Sequence, residues 1–86
     1  MQLEIFTPDK TIFQGEVVSA TFPGSDGSFQ VLNNHAAMVS ALGTGTLKYK
    51  DKEEVETQLK IEGGVVEVLR NKVIVLAERL IEEKTN

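Results

Sequence analysis

The sequence predicts an all-β domain of the sandwich or barrel class. Three observations carry that prediction. Apolar and polar residues alternate with a period of two along most of the chain. Turn residues interrupt the alternation at short intervals, and only the last segment, "AERLIEEKTN", is rich in helix formers.

Taken in order, Leu3 and Ile5 oppose Gln2 and Glu4 in a first strand. After Gly15, the residues Val18, Ala20 and Phe22 alternate with Val17, Ser19 and Thr21. Pro23-Gly24 suits a type II turn, and Asp26-Gly27 between two apolar runs is a hairpin signal. Phe29 and Val31 alternate with Ser28 and Gln30, and Asn33-Asn34 tolerates left-handed backbone. "HAAMVSAL" fits a strand or a short helical turn equally well.

Gly43-Thr44-Gly45 ends that segment, and Asp51-Lys52-Glu53 forms a polar turn after "TLKY". The clearest alternation sets Val55, Thr57, Leu59 and Ile61 against Glu54, Glu56, Gln58, Lys60 and Glu62, as in an antiparallel strand with one wet face. Gly63-Gly64 marks a bulge or a close backbone approach. Arg70-Asn71-Lys72 separates "VVEVL" from "VIVLA", which are expected to pair as a hairpin. The final helix-forming stretch is too short to hold a helix unaided, so an irregular or helical tail is expected over residues 80–86, after a domain spanning 1–79.

Composition limits what such a domain can do. Its 86 residues, 41% hydrophobic and 26% charged, make one core and an ordinary soluble surface. With no cysteine, disulfides and thiolate metal sites are ruled out. A net charge of -4 leaves none of the basic footprint that nucleic acid or anionic lipid attracts. No signal peptide is visible, and the apolar runs are far below the ~20 residues of a spanning helix. Any link to a membrane is expected to pass through a partner.

The search for chemistry centres on "PGSDGSFQVLNNHAAM", which holds the single histidine. His35 could act as a base, with Ser25, Ser28 or Ser40 as nucleophile and Asp26 as orienter. No local context such as G-x-S-x-G supports that triad, so His35 reads as a contact residue of a loop. "DKEEVE" spreads its carboxylates over both faces of a strand and lacks the spacing of a calcium loop. "GSDG", "GTG" and Gly63-Gly64 lack the lysine and the following helix of a phosphate-binding loop. No metal, cofactor or catalytic residue is expected, and the protein is read as a non-enzyme.

One family carries the same fragments in the same order. They are Thr7-Pro8, "IFQGEV" at Ile12 to Val17, "PGSDGSFQVL" at Pro23 to Leu32, His35-Ala36, Gly45, "GGVVEV" at Gly63 to Val68 and "NKVIVLA" at Asn71 to Ala77. Together they resemble the N-terminal domain of the epsilon subunit of F-type ATP synthases, called delta in mitochondria. The resemblance implies a flattened sandwich of two five-stranded sheets. It also implies a non-catalytic place in the central stalk, docked on the gamma subunit and the membrane c ring, coupling proton-driven rotation to ATP synthesis in the alpha and beta subunits.

By the same resemblance, Asp26, Gly27 and Ser28 face the c ring. Thr7, His35, Ala37, Met38 and Ser40 form the surface held by gamma, with Thr7 expected near the histidine loop. Where the family commonly has Pro-Gly before the histidine, this chain has Asn33-Asn34, and a similar turn is expected. Many members continue into a C-terminal helical hairpin that inhibits ATP hydrolysis. This sequence stops at Asn86, where that hairpin would begin, so binding and coupling are expected without the extended-arm inhibited state. The implied location is peripheral, on the cytoplasmic face of a bacterial energy-transducing membrane, with an organellar membrane as the alternative. The competing functional reading is a free-standing β-sandwich interaction module.

Overall fold

The computed structural model describes residues 1–85 and contains eight strands and, among the described residues, no helix. They are β1 (Gln2–Thr7), β2 (Lys10–Glu16), β3 (Ser19–Gly24), β4 (Gly27–Leu32), β5 (Met38–Leu42), β6 (Gly45–Lys50), β7 (Glu56–Leu69) and β8 (Lys72–Thr85). The alternation of the sequence is the alternation of burial. In β1 the side chains of Leu3 and Ile5 are buried, while Gln2 and Glu4 keep part of theirs in water.

The two long strands organise everything else. β7 and β8 pair antiparallel along nearly their whole length, joined by a two-residue turn at Arg70-Asn71. Both turn residues have positive φ, 51° and 61°, as a hairpin turn that follows the right-handed strand twist requires. On its other edge β7 carries β6 along Glu56 to Ile61 and β5 along Gly64 to Val68. β1 joins the start of β8 in parallel, and β2 closes that side. β3 pairs with β6 and β4 on the other side, touching β5 only where Gly24 meets Leu42.

The result is a sandwich whose long strands serve both layers. One layer holds β2, β1, the first half of β8, the second half of β7, and β5. The other holds β4, β3, β6, the first half of β7 and the second half of β8. Hydrogen bonding therefore runs continuously through all eight strands, along the path β2-β1-β8-β7-β5-β3-β4 with β6 bridging β3 and β7. Between the layers lies one core, to which Leu3, Ile5, Val66, Val73 and Val75 come from one side and Phe22, Val31, Leu47, Leu59 and Ile61 from the other. Phe13 of β2 and Tyr49 of β6 stack across it at 4.4 Å between centroids.

β7 changes layer at Gly63 and Gly64, where φ is 69° and 139°. A β-carbon at Gly64 would lie 2.3 Å from the carbonyl oxygen of Leu76. Opposite, the amide of Gly63 donates to the carbonyl of Gly43 at 3.2 Å, tying the β5–β6 turn to this bend. The close approach anticipated for this glycine pair is thus the corner of the sandwich.

Two local expectations are corrected. Residues 80–85 are neither helical nor irregular but continue β8, pairing with the first half of β7 from Ile61 opposite Leu80 to Thr57 opposite Thr85. An unpaired edge of β7 outweighs the helix preference of a stretch too short to form a helix alone. Asn86, the last residue of the expected tail, lies outside the described residues. Pro23-Gly24 is not a turn either. Both residues end β3, and the hairpin turns through Ser25-Asp26, with Gly27 at φ 126°.

Candidate functional site

Three places hold the residues singled out from the sequence. The first is the histidine loop. Strand β4 ends at Leu32, and the amide of His35 donates back to the Leu32 carbonyl at 3.2 Å. Asn34, between them, has φ 62°, the conformation glycine would otherwise supply. The Asn34 amide donates to Oδ1 of Asn71 at 2.8 Å, and Oδ1 of Asn33 accepts from the amino group of Met1 at 2.7 Å. The Asn-Asn pair therefore makes a left-handed turn and fastens it to two other segments.

From that turn the chain enters β5, whose far side is met at its end, where Gly24 pairs with Leu42 and the Ser25 amide donates to the Ala41 carbonyl at 3.1 Å. Ala37 is exposed, while Met38 packs against the core and Ser40 is half-buried. The residue between them, Val39, is 68% exposed. Sequence reasoning missed it, although strict alternation between Met38 and Ser40 puts its side chain on the opposite face.

Second comes the tip of the β3–β4 hairpin, where Asp26, Gly27 and Ser28 are all exposed. β4 lies between this tip and the histidine loop, and a strand of that length spans roughly 17–20 Å. Ser25, Asp26 and Ser28 therefore cannot reach His35. Ser40 donates to the carbonyl of Ala41, and Nδ1 of His35 lies 2.8 Å from the carbonyl oxygen of Ala36. The residues of the hypothetical triad are dispersed.

Third is Thr7, buried at the end of β1. Its hydroxyl donates to Oδ1 of Asp9 at 2.7 Å within the β1–β2 turn. That hydrogen bond, then a backbone hydrogen bond and the charge of Lys10, hold the Asp9 carboxyl below its ordinary value. Thr7, Asp9 and Lys10 line a shallow cleft with Glu78, Arg79 and Leu80.

Thr7 is not beside the histidine loop. Phe6, its neighbour, pairs with Leu76, which pairs with Val65, which pairs with Ala41. Thr7 thus sits at the Leu42 end of the layer, three strand spacings or roughly 14 Å across from β5. The histidine loop sits at the other end, against the Arg70-Asn71 turn.

Among the described residues, no group of three or more histidine, cysteine, aspartate or glutamate side chains could hold a metal ion. No helix among the described residues is long and apolar enough to cross a membrane. What the geometry offers is a rigid body with presented edges and faces, the arrangement expected of a binding part.

Comparison with known proteins gives that body its relatives. Residues 1–83 match the family described as the ATP synthase delta/epsilon chain, beta-sandwich domain. The ATP synthase epsilon chain of Chlorobium limicola is 43% identical over 77 residues, covering 90% of this chain and 88% of that one. The epsilon chain of Leptospira interrogans is 37% identical over 78 residues, and there the match spans only 61% of the relative.

Among solved structures, a chain of the Euglena gracilis mitochondrial ATP synthase, determined with its c ring, superposes with a TM-score of 0.87 at 25% identity. That match covers 92% of this chain and 51% of the other. A chain of the Tetrahymena thermophila mitochondrial ATP synthase central stalk and c ring shares the fold, with a TM-score of 0.80 at 21% identity.

Proposed function

The chain belongs to the delta/epsilon family of ATP synthase subunits, and from that premise we propose that it is a non-catalytic part of the central stalk of a proton-translocating F-type ATP synthase. It docks on the gamma subunit and on the c ring and couples ring rotation to the catalytic alpha and beta subunits. The observation that carries this reading is the family match over residues 1–83, together with a fold close to that of a chain from a mitochondrial ATP synthase determined with its F1 head and c ring.

In this reading the β3–β4 tip (Asp26, Gly27 and Ser28) meets the c ring. His35, Ala37, Met38 and Ser40 meet gamma, with Thr7 as a second gamma contact from the opposite corner. The length of β4 separates the tip from the histidine loop, which suits a body gripped between partners, while Thr7 lies at the same end of the sandwich as the tip. The complex lies peripherally on the cytoplasmic face of a bacterial membrane, and this domain needs no cofactor of its own.

Reconstitution tests it. A head of alpha, beta and gamma subunits is mixed with the purified chain, and the complex is isolated with and without the c ring. Stoichiometric retention on gamma, and tighter attachment of the head to the ring, are expected. Failure to be retained by gamma leaves the free-standing interaction module as the better reading.

A further inference from the structure

The amino group of Met1 is built into the fold. Met1 is 5% exposed and packs in the core with Leu3 and Ile5. Its nitrogen donates to Oδ1 of Asn33 at 2.7 Å, to the carbonyl of Val17 at 3.0 Å and to Oε2 of Glu16 at 3.3 Å. An ammonium group has three donors, and these three acceptors use them all. The backbone on either side is fixed as well. The Met1 carbonyl accepts from the Val17 amide at 2.9 Å, and the Gln2 amide donates to the Asn71 carbonyl at 3.1 Å. The nitrogen therefore cannot swing aside without breaking other hydrogen bonds.

We propose that this nitrogen is a modification-sensitive site: Met1 is retained with a free amine, and an acyl group there unseats the turn before the histidine loop. Chemistry and space both require it. An acylated nitrogen is neutral and keeps one donor, so two acceptors lose their partner, which is costly for a buried carbonyl such as that of Val17. The acyl carbon takes the place of one proton, at an amide bond length of about 1.33 Å. Along any of the three hydrogen bonds it would lie about 1.4–2.0 Å from the acceptor, far inside contact distance. Asn33, displaced with it, belongs to the turn that the Asn34 amide fastens to Asn71.

The class of reaction that must supply this form is the hydrolysis of a formamide, the group that bacterial and organellar synthesis places on a starting methionine. Water adds to the formyl carbon, the C–N bond breaks, formate leaves, and the nitrogen takes up protons to become the ammonium. The step must precede folding, because the folded chain buries the nitrogen. Once folded, the same burial shields the amine from any later acylation. The inference is independent of the stalk reading, since every contact it uses lies within the chain.

The test makes the chain by cell-free synthesis with the formyl group kept or hydrolysed, and compares thermal unfolding. The formylated form should melt about 5–15 °C lower or fail to fold. Asn33→Ala should lower the Tm of the free-amine chain by about 4–8 °C and that of the formylated chain hardly further, because the contact is already lost. Acetic anhydride should modify Met1 of the folded free-amine chain at least about 100-fold more slowly than in urea, with the exposed lysines as internal reference. The intact mass of the chain isolated from its source should correspond to Met1 without an acyl group. Equal melting of the two forms overturns the proposal. So does rapid acylation of Met1 in the folded chain, or an additive loss from Asn33→Ala in the formylated one. A formyl or acetyl group on the isolated chain, or a different first residue, overturns it too.

Discussion

The backbone amide of Asn34 donates a 2.8 Å hydrogen bond to Oδ1 of Asn71, and both residues hold left-handed backbone. The turn before the histidine loop is thereby fastened to the turn between the two longest strands. Asn71 serves twice, once through its conformation and once through its side chain. Replacing it with alanine removes both and is expected to cost about 1–2 kcal/mol. Asn71→Gly keeps the backbone freedom and should cost less. Urea midpoints of the two variants separate the contributions, and equal losses would mean that the backbone conformation contributes nothing.

Gly64 permits the bend by which β7 passes from one layer to the other. A side chain there meets the carbonyl of Leu76 and a φ of 139° that L-residues rarely adopt. Gly64→Val is expected to lose more than about 2 kcal/mol of stability. An unchanged denaturant midpoint would show that the corner can relax around the side chain.

Thr7 lowers the pKa of Asp9, so the Asp9 carboxylate favours the folded state above its ordinary value of 3.8. The sign follows from linkage: a depressed folded pKa stabilises above the unfolded value, and the contribution is lost as pH falls through the folded one. Thr7→Val removes the hydroxyl that donates to the carboxylate, the main cause of the shift, and should raise the Asp9 pKa toward 3.8. Carbon-detected titration of the Asp9 carboxyl reads this directly, and an unmoved midpoint would assign the shift to the backbone and Lys10.

His35 accepts no serine proton in this geometry. The change His35→Ala should leave stability within about 0.5 kcal/mol and should not alter the isolated chain's action on activated esters. Histidine-dependent ester turnover would establish the hydrolase alternative. A loss confined to head binding would fit the contact role proposed for the loop.

Much of this protein was legible in the chain itself. Period-two alternation marked most of the strands and most of their buried faces, since side-chain direction in a strand is a local property. The Asn33-Asn34 pair announced a left-handed turn, because few other residues adopt that backbone at low cost, and Asn34 takes it. The ordered fragments from Thr7 to Ala77 sufficed for the family.

What tertiary structure alone decided depends on which strand lies beside which. Residues 80–85 are strand because the first half of β7 offers them hydrogen bonds that no local preference encodes. Thr7 and His35 lie at opposite ends of a layer because β1 and β5 run in the same direction, with Thr7 ending the first and His35 preceding the second. Ala41, Val65, Leu76 and Phe6 stand side by side only once parallel and antiparallel pairing bring four separate segments into register. Strand pairing joins residues distant in the chain, and the free energy that selects a neighbour comes from packing and shared hydrogen bonds across that distance.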